Sequence, residues 1–493
     1  MKLRTLNDIM KPFSPETLAE WEEKKAELLD TLKFASGIEL LRHDAPLNAQ
    51  VFDAFELDAG EGCGCVVEKV IFQSLPGYYV TGNLYRPKDV SGSKRYPAVL
   101  NPHGHWQNGR RETDTLARIP QRCANLAMRG MVAFIYDMVG CNDSRQVPHN
   151  GADPEWEKWN WGRFALQLNN SVKAVDFVSS LPYVDAERIG CTGCSGGGTQ
   201  TYFLTAYDPR IKAAAPINMA STRMQGGCIC ENPPFLRTEA CNIDYTMTIA
   251  PRPLFMSGSD GDWTVTSQTV EFPAVEKVYR LYGAEENFEH FYQSAPHCYN
   301  LPIRERVYRF FCRHFGIDDP FASVGEIDFD LDTDKLLIGD LRSRVPAEGY
   351  IENDEMLFEK AKEIIRSNLA AIGEAEKAKT ARRVFLLDRS FPLDLPYIVE
   401  KEDAETPVVT LGACPSPGDG LGVKYPHTYN FAEDAKRVSA LVTLFRAYPN
   451  ALFRAEGKTA ALCELALRFS PETKTELSSP DGSGIFIPGS ELV

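Results

Sequence analysis

The sequence predicts an α/β protein: a mostly parallel sheet with helices on both faces, followed by a smaller C-terminal α/β accessory half. Three observations carry this expectation. From about residue 96 to residue 315, short β-rich runs alternate with amphipathic helical segments. In the middle of that series Gly193-Cys194-Ser195-Gly196-Gly197 joins an apolar strand to a helix through a glycine-rich turn. The length of 493 residues exceeds one ordinary core, which implies about two or three domains, or a large one with an appendage.

Bulk composition narrows the partners. A hydrophobic share of 43% and a charged share of 25% are those of a soluble globular chain. The formal charge of −15, without a Lys/Arg cluster to reverse it, argues against nucleic acid and anionic membrane. Met1 to Asp8 lacks the apolar core of a signal peptide and no segment approaches a membrane span, so a cytoplasmic location is expected. Thirteen scattered cysteines fit mostly reduced thiols better than a disulfide framework.

Taken in order, Ser14-Pro15 reads as a cap and first turn for a helix from about Pro15 to Phe34. Residues 1–60 are therefore expected to form a helical extension. Strands follow at Val66–Phe72, Tyr78–Tyr85 and Tyr96–Asn101, the last leading into Pro102-His103-Gly104-His105-Trp106. A helix over Gln121–Arg129 precedes the strand Met131–Asp137, and Phe164–Leu181 forms the helix before the Ser195 turn. Beyond it come strands at Ile211–Asn218, Arg252–Ser257 and Glu289–Ser294, with helices at Val275–Tyr282 and Ile303–Phe315.

The catalytic domain is thus placed at 61–318. An acidic linker at 319–345 follows, within which Ile327, Phe329 and Leu331 alternate like an isolated strand. Residues 346–493 form the accessory domain. Pro407–Gly412, a helix over Phe431–Tyr448 and the run Ala451–Ala461 echo the strand, helix and turn of the first domain, as a degenerate partial repeat without its serine. Gly457-Lys458-Thr459 lacks the leading glycine of a phosphate loop, since Leu452 stands in its place.

Gly-x-Ser-x-Gly is the pattern of a nucleophile elbow, but a serine hydroxyl needs a base and an orienting carboxylate. Of eight histidines, His297 follows the last strand and precedes the terminal helix, where the α/β-hydrolase fold presents its base. After the strand ending at Ser257 two acids are available, Asp262 and, as the alternative, Asp260. The order Ser195, Asp262, His297 is that of an α/β-hydrolase. Oxyanion donors are expected from the Gly196 and His105 N–H groups. A His-x-His pair without a nearby third ligand makes a poor zinc site, so no metal is expected. Cys63-Gly64-Cys65 with Cys228-Ile229-Cys230 would give a four-thiolate site, but one-residue spacing is tight for zinc.

These segments resemble α/β-hydrolases of the acetyl xylan esterase-like group, related to cephalosporin-C deacetylases and dienelactone hydrolases. The resemblance is carried by Pro102–Trp106, Tyr136–Gly140 with Asp143-Ser144, Gly193–Thr201, Gln225–Cys228 with Glu231-Asn232, Gly261–Thr264 and Pro296-His297. It favours Asp262 over Asp260 and implies ester hydrolysis through an acyl-enzyme, most often of acetyl groups on sugars, with no cofactor. Cys194 and Cys298 are placed like the disulfide-linked cysteines of glucuronoyl esterases, which implies a candidate bridge. Those enzymes carry arginine after the serine where Gly196 stands here, so uronate ester cleavage is a secondary reading. Trp106, Trp263 and Trp161 are candidates for a sugar-facing surface, with core packing as the alternative. A peptidase on the same fold and a non-catalytic binding or scaffold protein are the rivals. The expected partner is a small-molecule or carbohydrate ester, with homo-oligomerisation left open.

Overall fold

Thr17 opens the first helix, α1 (Leu18–Ser36): its hydroxyl accepts from the Glu20 N–H while the Glu20 carboxylate takes the Thr17 N–H, a reciprocal capping box. The cap expected at Ser14 therefore moves three residues on, because Glu20 supplies the return bond. This computed structural model describes residues 9–60, 63–237, 240–373, 397–400, 408–411, 432–449 and 451–478. The Met1 to Asp8 segment, Pro407, Gly412 and Phe431 lie outside the described residues.

The 1–60 segment is not purely helical, for it contains β1 (Gln50–Gly60), which pairs antiparallel with β2 (Cys63–Leu75). A register shift between Phe52 and Phe55, with Asp53 at φ 50°, breaks the alternation that would have marked the strand. β3 (Tyr78–Arg86), β4 (Tyr96–Leu100), β5 (Val132–Tyr136), β6 (Val184–Cys194), β7 (Ile211–Ile217), β8 (Leu254–Gly261) and β9 (Phe288–Pro296) complete a nine-stranded sheet, ordered β1-β2-β3-β5-β4-β6-β7-β8-β9 among the described residues. Every neighbouring pair from β5 to β9 is parallel. The crossovers are α2 (Ile119–Met128), α4 (Arg163–Ser180), α5 (Gly196–Tyr207), α6 (Asn242–Met247) and α7 (Glu271–Tyr282), and α8 (Leu301–Phe315) follows β9; a short α3 (Pro154–Glu157), between β5 and α4 in the chain, belongs to the second body. This is the expected α/β-hydrolase architecture. Functional groups collect at strand C-termini, where successive loops converge.

The acidic stretch after α8 is neither a linker nor a strand. Asn125 on α2 exchanges two hydrogen bonds with the Ile327 backbone, and Gln121 donates to Asp328 Oδ1 and Phe329 O. Side chains thus supply the hydrogen bonds a neighbouring strand would have given. Arg304 on α8 pairs with Glu326 through Nε (2.6 Å) and Nη2 (2.7 Å), with both side chains almost fully buried. Leu336 and Ile338 continue the strap into the core.

Two bodies result. The first comprises the described residues from 9 to 152 and from 161 to 364, so its end falls at 364 and not at 318 or 345 as the sequence suggested. The second comprises 153–160 and the described residues from 365 onward. Its sheet runs in the order β10 (Tyr397–Glu400), β11 (Val408–Leu411), β12 (Leu452–Glu456), β13 (Lys474–Ser478), with α9 (Asp354–Ala370) leading in, α10 (Ala432–Ala447) before β12 and α11 (Gly457–Leu467) after it. β11, β12 and β13 are mutually parallel. Gly457 turns from β12 into α11 at φ 55°, close to the 61° of Ser195, but has no side chain to present. No helix among the described residues is long and apolar enough to cross a membrane.

Glu326→Ala leaves the buried Arg304 guanidinium without its carboxylate and is expected to cost about 3–5 kcal/mol. A urea midpoint within error of the wild type would show that the strap contributes nothing.

Candidate active site

Ser195 sits between β6 and α5 at φ 61° and ψ −129°, a conformation that costs energy outside glycine. Its neighbours explain the glycines. A Cβ on Gly193 would lie 2.4 Å from Pro102 O, and one on Gly197 2.2 Å from the same oxygen. The turn is held by the Ser195 N–H on Ile217 O (3.3 Å) and the Thr199 N–H on Ser195 O (3.0 Å).

His297 follows β9 directly, and its Nδ1 lies 2.8 Å from Asp262 Oδ2. Asp262 follows β8 and is oriented from both sides. Oδ2 also accepts from Asn218 Nδ2 (3.1 Å), while Oδ1 accepts the Thr264 N–H (2.7 Å) and the Thr264 hydroxyl. Asn218 is fixed in turn by Ser257 and Ser259. An imidazole whose Nδ1 donates to a carboxylate presents Nε2 as the basic nitrogen. Among the described residues no hydrogen bond joins Ser195 Oγ to that ring, and His297 Nε2 instead has Cys194 Sγ at 4.0 Å. Nucleophile and base often approach only around substrate.

Asp260, the alternative acid, is exposed and accepts the Ala295 N–H, away from the imidazole. Trp263 packs on His297 with ring centres 4.3 Å apart, and Trp106 stacks near-parallel at 6.3 Å. Trp161 is buried, so it has no face to offer a ligand, and the core-packing alternative describes it better. Trp159 belongs to the second body, under Arg366.

His103 and His105 divide their labour. His103 is buried: its Nδ1 donates to Gly104 O (2.8 Å) and its Nε2 accepts the Met138 N–H (3.0 Å). Burial lowers its pKa to about 4 against the opposing pull of Asp137, so the ring is a neutral brace. The loop it braces runs close to Ser195, since a Cβ on Gly104 would stand 3.0 Å from Ser195 Cβ. The next residue, His105, lays its ring against Gly196, where a Cβ would meet Cε1 at 2.7 Å. Its N–H has no hydrogen-bond partner among the described residues, and the Gly196 N–H opens α5, where helix donors lack intrahelical acceptors.

Cys194 and Cys298 are free thiols in place of the candidate bridge, and Cys194 Sγ donates to Cys298 O at 3.5 Å. Burial pushes the Cys194 thiol well above its ordinary pKa. The four-thiolate alternative also fails, because Cys65 lies in the main core and Cys228 with Cys230 in a separate cluster. What the sequence reading missed is a cluster around His105: His149, Cys228 and Cys230 converge on it, with all four donor atoms within 4.8 Å of one another, a set that could hold a metal ion. Residues from the loops after β4, β5 and β7 meet there. The signal was present, since loops after parallel strands collect at one sheet edge.

The acetyl xylan esterase (AXE1) family model matches residues 62–219. An uncharacterized protein of Pseudomonas aeruginosa is 30% identical over 153 residues, covering 31% of this chain and 36% of that protein. The acyltransferase drtE of Aspergillus calidoustus is 27% identical over 151 residues, 31% of this chain and 42% of its own. The matched segments thus span well under half the length of these curated relatives. Among solved structures, methylesterase BT1017 superposes with a TM-score of 0.59 at 26% identity, covering 72% of this chain and 78% of that one. Together with the sheet order, the likeness to methylesterase BT1017 gives the chain the α/β-hydrolase fold, and its residues 62–219 are similar to the acetyl xylan esterase family.

Proposed function

We propose that the chain is a serine esterase acting on carbohydrate esters, with an O-acetyl sugar as its substrate. The observation that carries this reading is the 2.8 Å Asp262–His297 pair beside a serine held at positive φ. Ser195 Oγ attacks the ester carbonyl as His297 Nε2 takes its proton, and the alkoxide leaves with that proton as the sugar alcohol. Water, deprotonated by the same nitrogen, then releases acetate and restores the serine. Asp262 holds the imidazole in the tautomer this requires and offsets the charge it gains. The N–H groups of Gly196 and His105 receive the oxyanion. Trp106 and Trp263, which flank the imidazole, offer flat apolar faces to a sugar ring.

A methyl uronate is the second reading, favoured by the likeness to methylesterase BT1017. It needs the same machinery with methanol as leaving group. An acetylated oligosaccharide turned over faster than a methyl-esterified uronide supports the first reading, and the reverse order the second.

A fluorophosphonate probe is expected to label the wild type and not Ser195→Ala; an unlabelled wild type removes the serine-esterase reading. Asp262→Asn is expected to lower kcat by about 10⁴-fold through the wrong imidazole tautomer. Asp260→Asn should change it less than about tenfold, since Asp260 accepts the Ala295 N–H and, among the described residues, makes no hydrogen bond to His297. Equal losses in steady-state kinetics would reject the assignment of the acid.

A further inference from the structure

We propose that the first body binds a zinc ion, tetrahedrally, through His105 Nε2, His149 Nε2, Cys228 Sγ and Cys230 Sγ. The donor atoms already outline the polyhedron. His105 Nε2 lies 3.2 Å from His149 Nε2 and 3.4 Å from Cys230 Sγ, and His149 Nε2 lies 3.1 Å from Cys228 Sγ. Zinc bonds of about 2.0–2.1 Å to nitrogen and about 2.3 Å to sulfur give tetrahedral edges of roughly 3.3–3.8 Å. Small side-chain shifts close the difference. Two imidazoles and two thiolates are also the donor set that zinc prefers over magnesium or calcium.

The surroundings prepare these groups as ligands. His149 Nδ1 donates to Val139 O (2.7 Å), which fixes its tautomer and leaves the Nε2 lone pair facing inward. A hydrogen-bonded cluster accounts for this less well, because that one lone pair faces both His105 Nε2 and Cys228 Sγ. The Cys230 N–H points at Cys228 Sγ (3.4 Å), as backbone amides do toward a thiolate. The Cys-x-Cys turn is pinned independently. Glu231 Oε2 accepts the Gly227 and Cys228 N–H groups, Asn232 Nδ2 donates to Cys228 O, and Glu231 Oε1 takes the Thr199 hydroxyl of the nucleophile helix. Met138, Cys141 and Ile229 pack around it.

Four protein ligands fill a zinc shell, so the ion crosslinks loops and does not activate water. The loops it joins follow β4, β5 and β7, and the first carries the His105 N–H beside Gly196. Zinc therefore sets the position of an oxyanion donor, a consequence that rests on the esterase reading, whereas the site itself does not.

Elemental analysis of the full chain, purified without chelator, is expected to give about one zinc per chain, and only a trace for Cys228→Ser/Cys230→Ser. Because that double variant can misfold, the wild type is also stripped and reloaded with Co²⁺. Tetrahedral d–d bands with a thiolate charge-transfer band support the site. A folded wild type that carries a trace of metal and gives only the weak spectrum of octahedral cobalt overturns it. Stripping is further expected to lower kcat about 100-fold with KM little changed, restored by Zn²⁺. Unchanged hydrolysis after verified zinc loss overturns the loop-positioning role alone, and bound zinc without any hydrolysis overturns the esterase reading while the site stands.

Discussion

The close approach of β6, α5 and the loop after β4 is the constraint on which the rest depends. Pro102 O occupies the space that side chains at Gly193 and Gly197 would need. Only with both glycines can the serine be raised at positive φ and the 102–106 loop come in beside it. That one contact sets the distance between Ser195 and the 102–106 loop, and His103 then locks the loop to Met138. Substituting either glycine would displace a backbone oxygen, which no rotamer change can relieve.

Under this layer lies a buried ionic hub. Asp137, at the end of β5, accepts from Arg110, from the Thr81 hydroxyl on β3 and from Asn142, while Arg110 also reaches Asp143 and Leu336 O. Burying these charges is tolerable because both Asp137 oxygens and all three Arg110 nitrogens are met. The hub ties the strap, through Leu336, to the loop that carries His149. Support for the site therefore extends to residues that sequence reading assigned to a linker.

Much of this was legible beforehand because it follows from local pattern. The strand-helix alternation from Tyr96 to Phe315 and the order Ser195, Asp262, His297 needed no knowledge of long-range packing. The misreadings share a physical cause. β1 was hidden by its bulge at Asp53, and the alternation of Ile327, Phe329 and Leu331 was real but satisfied by Gln121 and Asn125 in place of a strand. Trp161 and the Cys194–Cys298 pairing depended on tertiary placement that spacing does not encode. The grouping of His105 with His149, Cys228 and Cys230 spans more than a hundred residues and emerges only when parallel strands bring their ends together.

The bulged strand β1 has a consequence of its own for self-association. It is the outer strand of the nine-stranded sheet among the described residues, with Val51 40% exposed on it. A flat edge of that kind would template pairing with the same edge of a second molecule. The twist at Asp53, its ion pairs with Lys69 and Arg344, and the acidic Glu56 and Asp58 farther along spoil that template. The irregularity that hid the strand in the sequence is thus a guard against fibre-like aggregation.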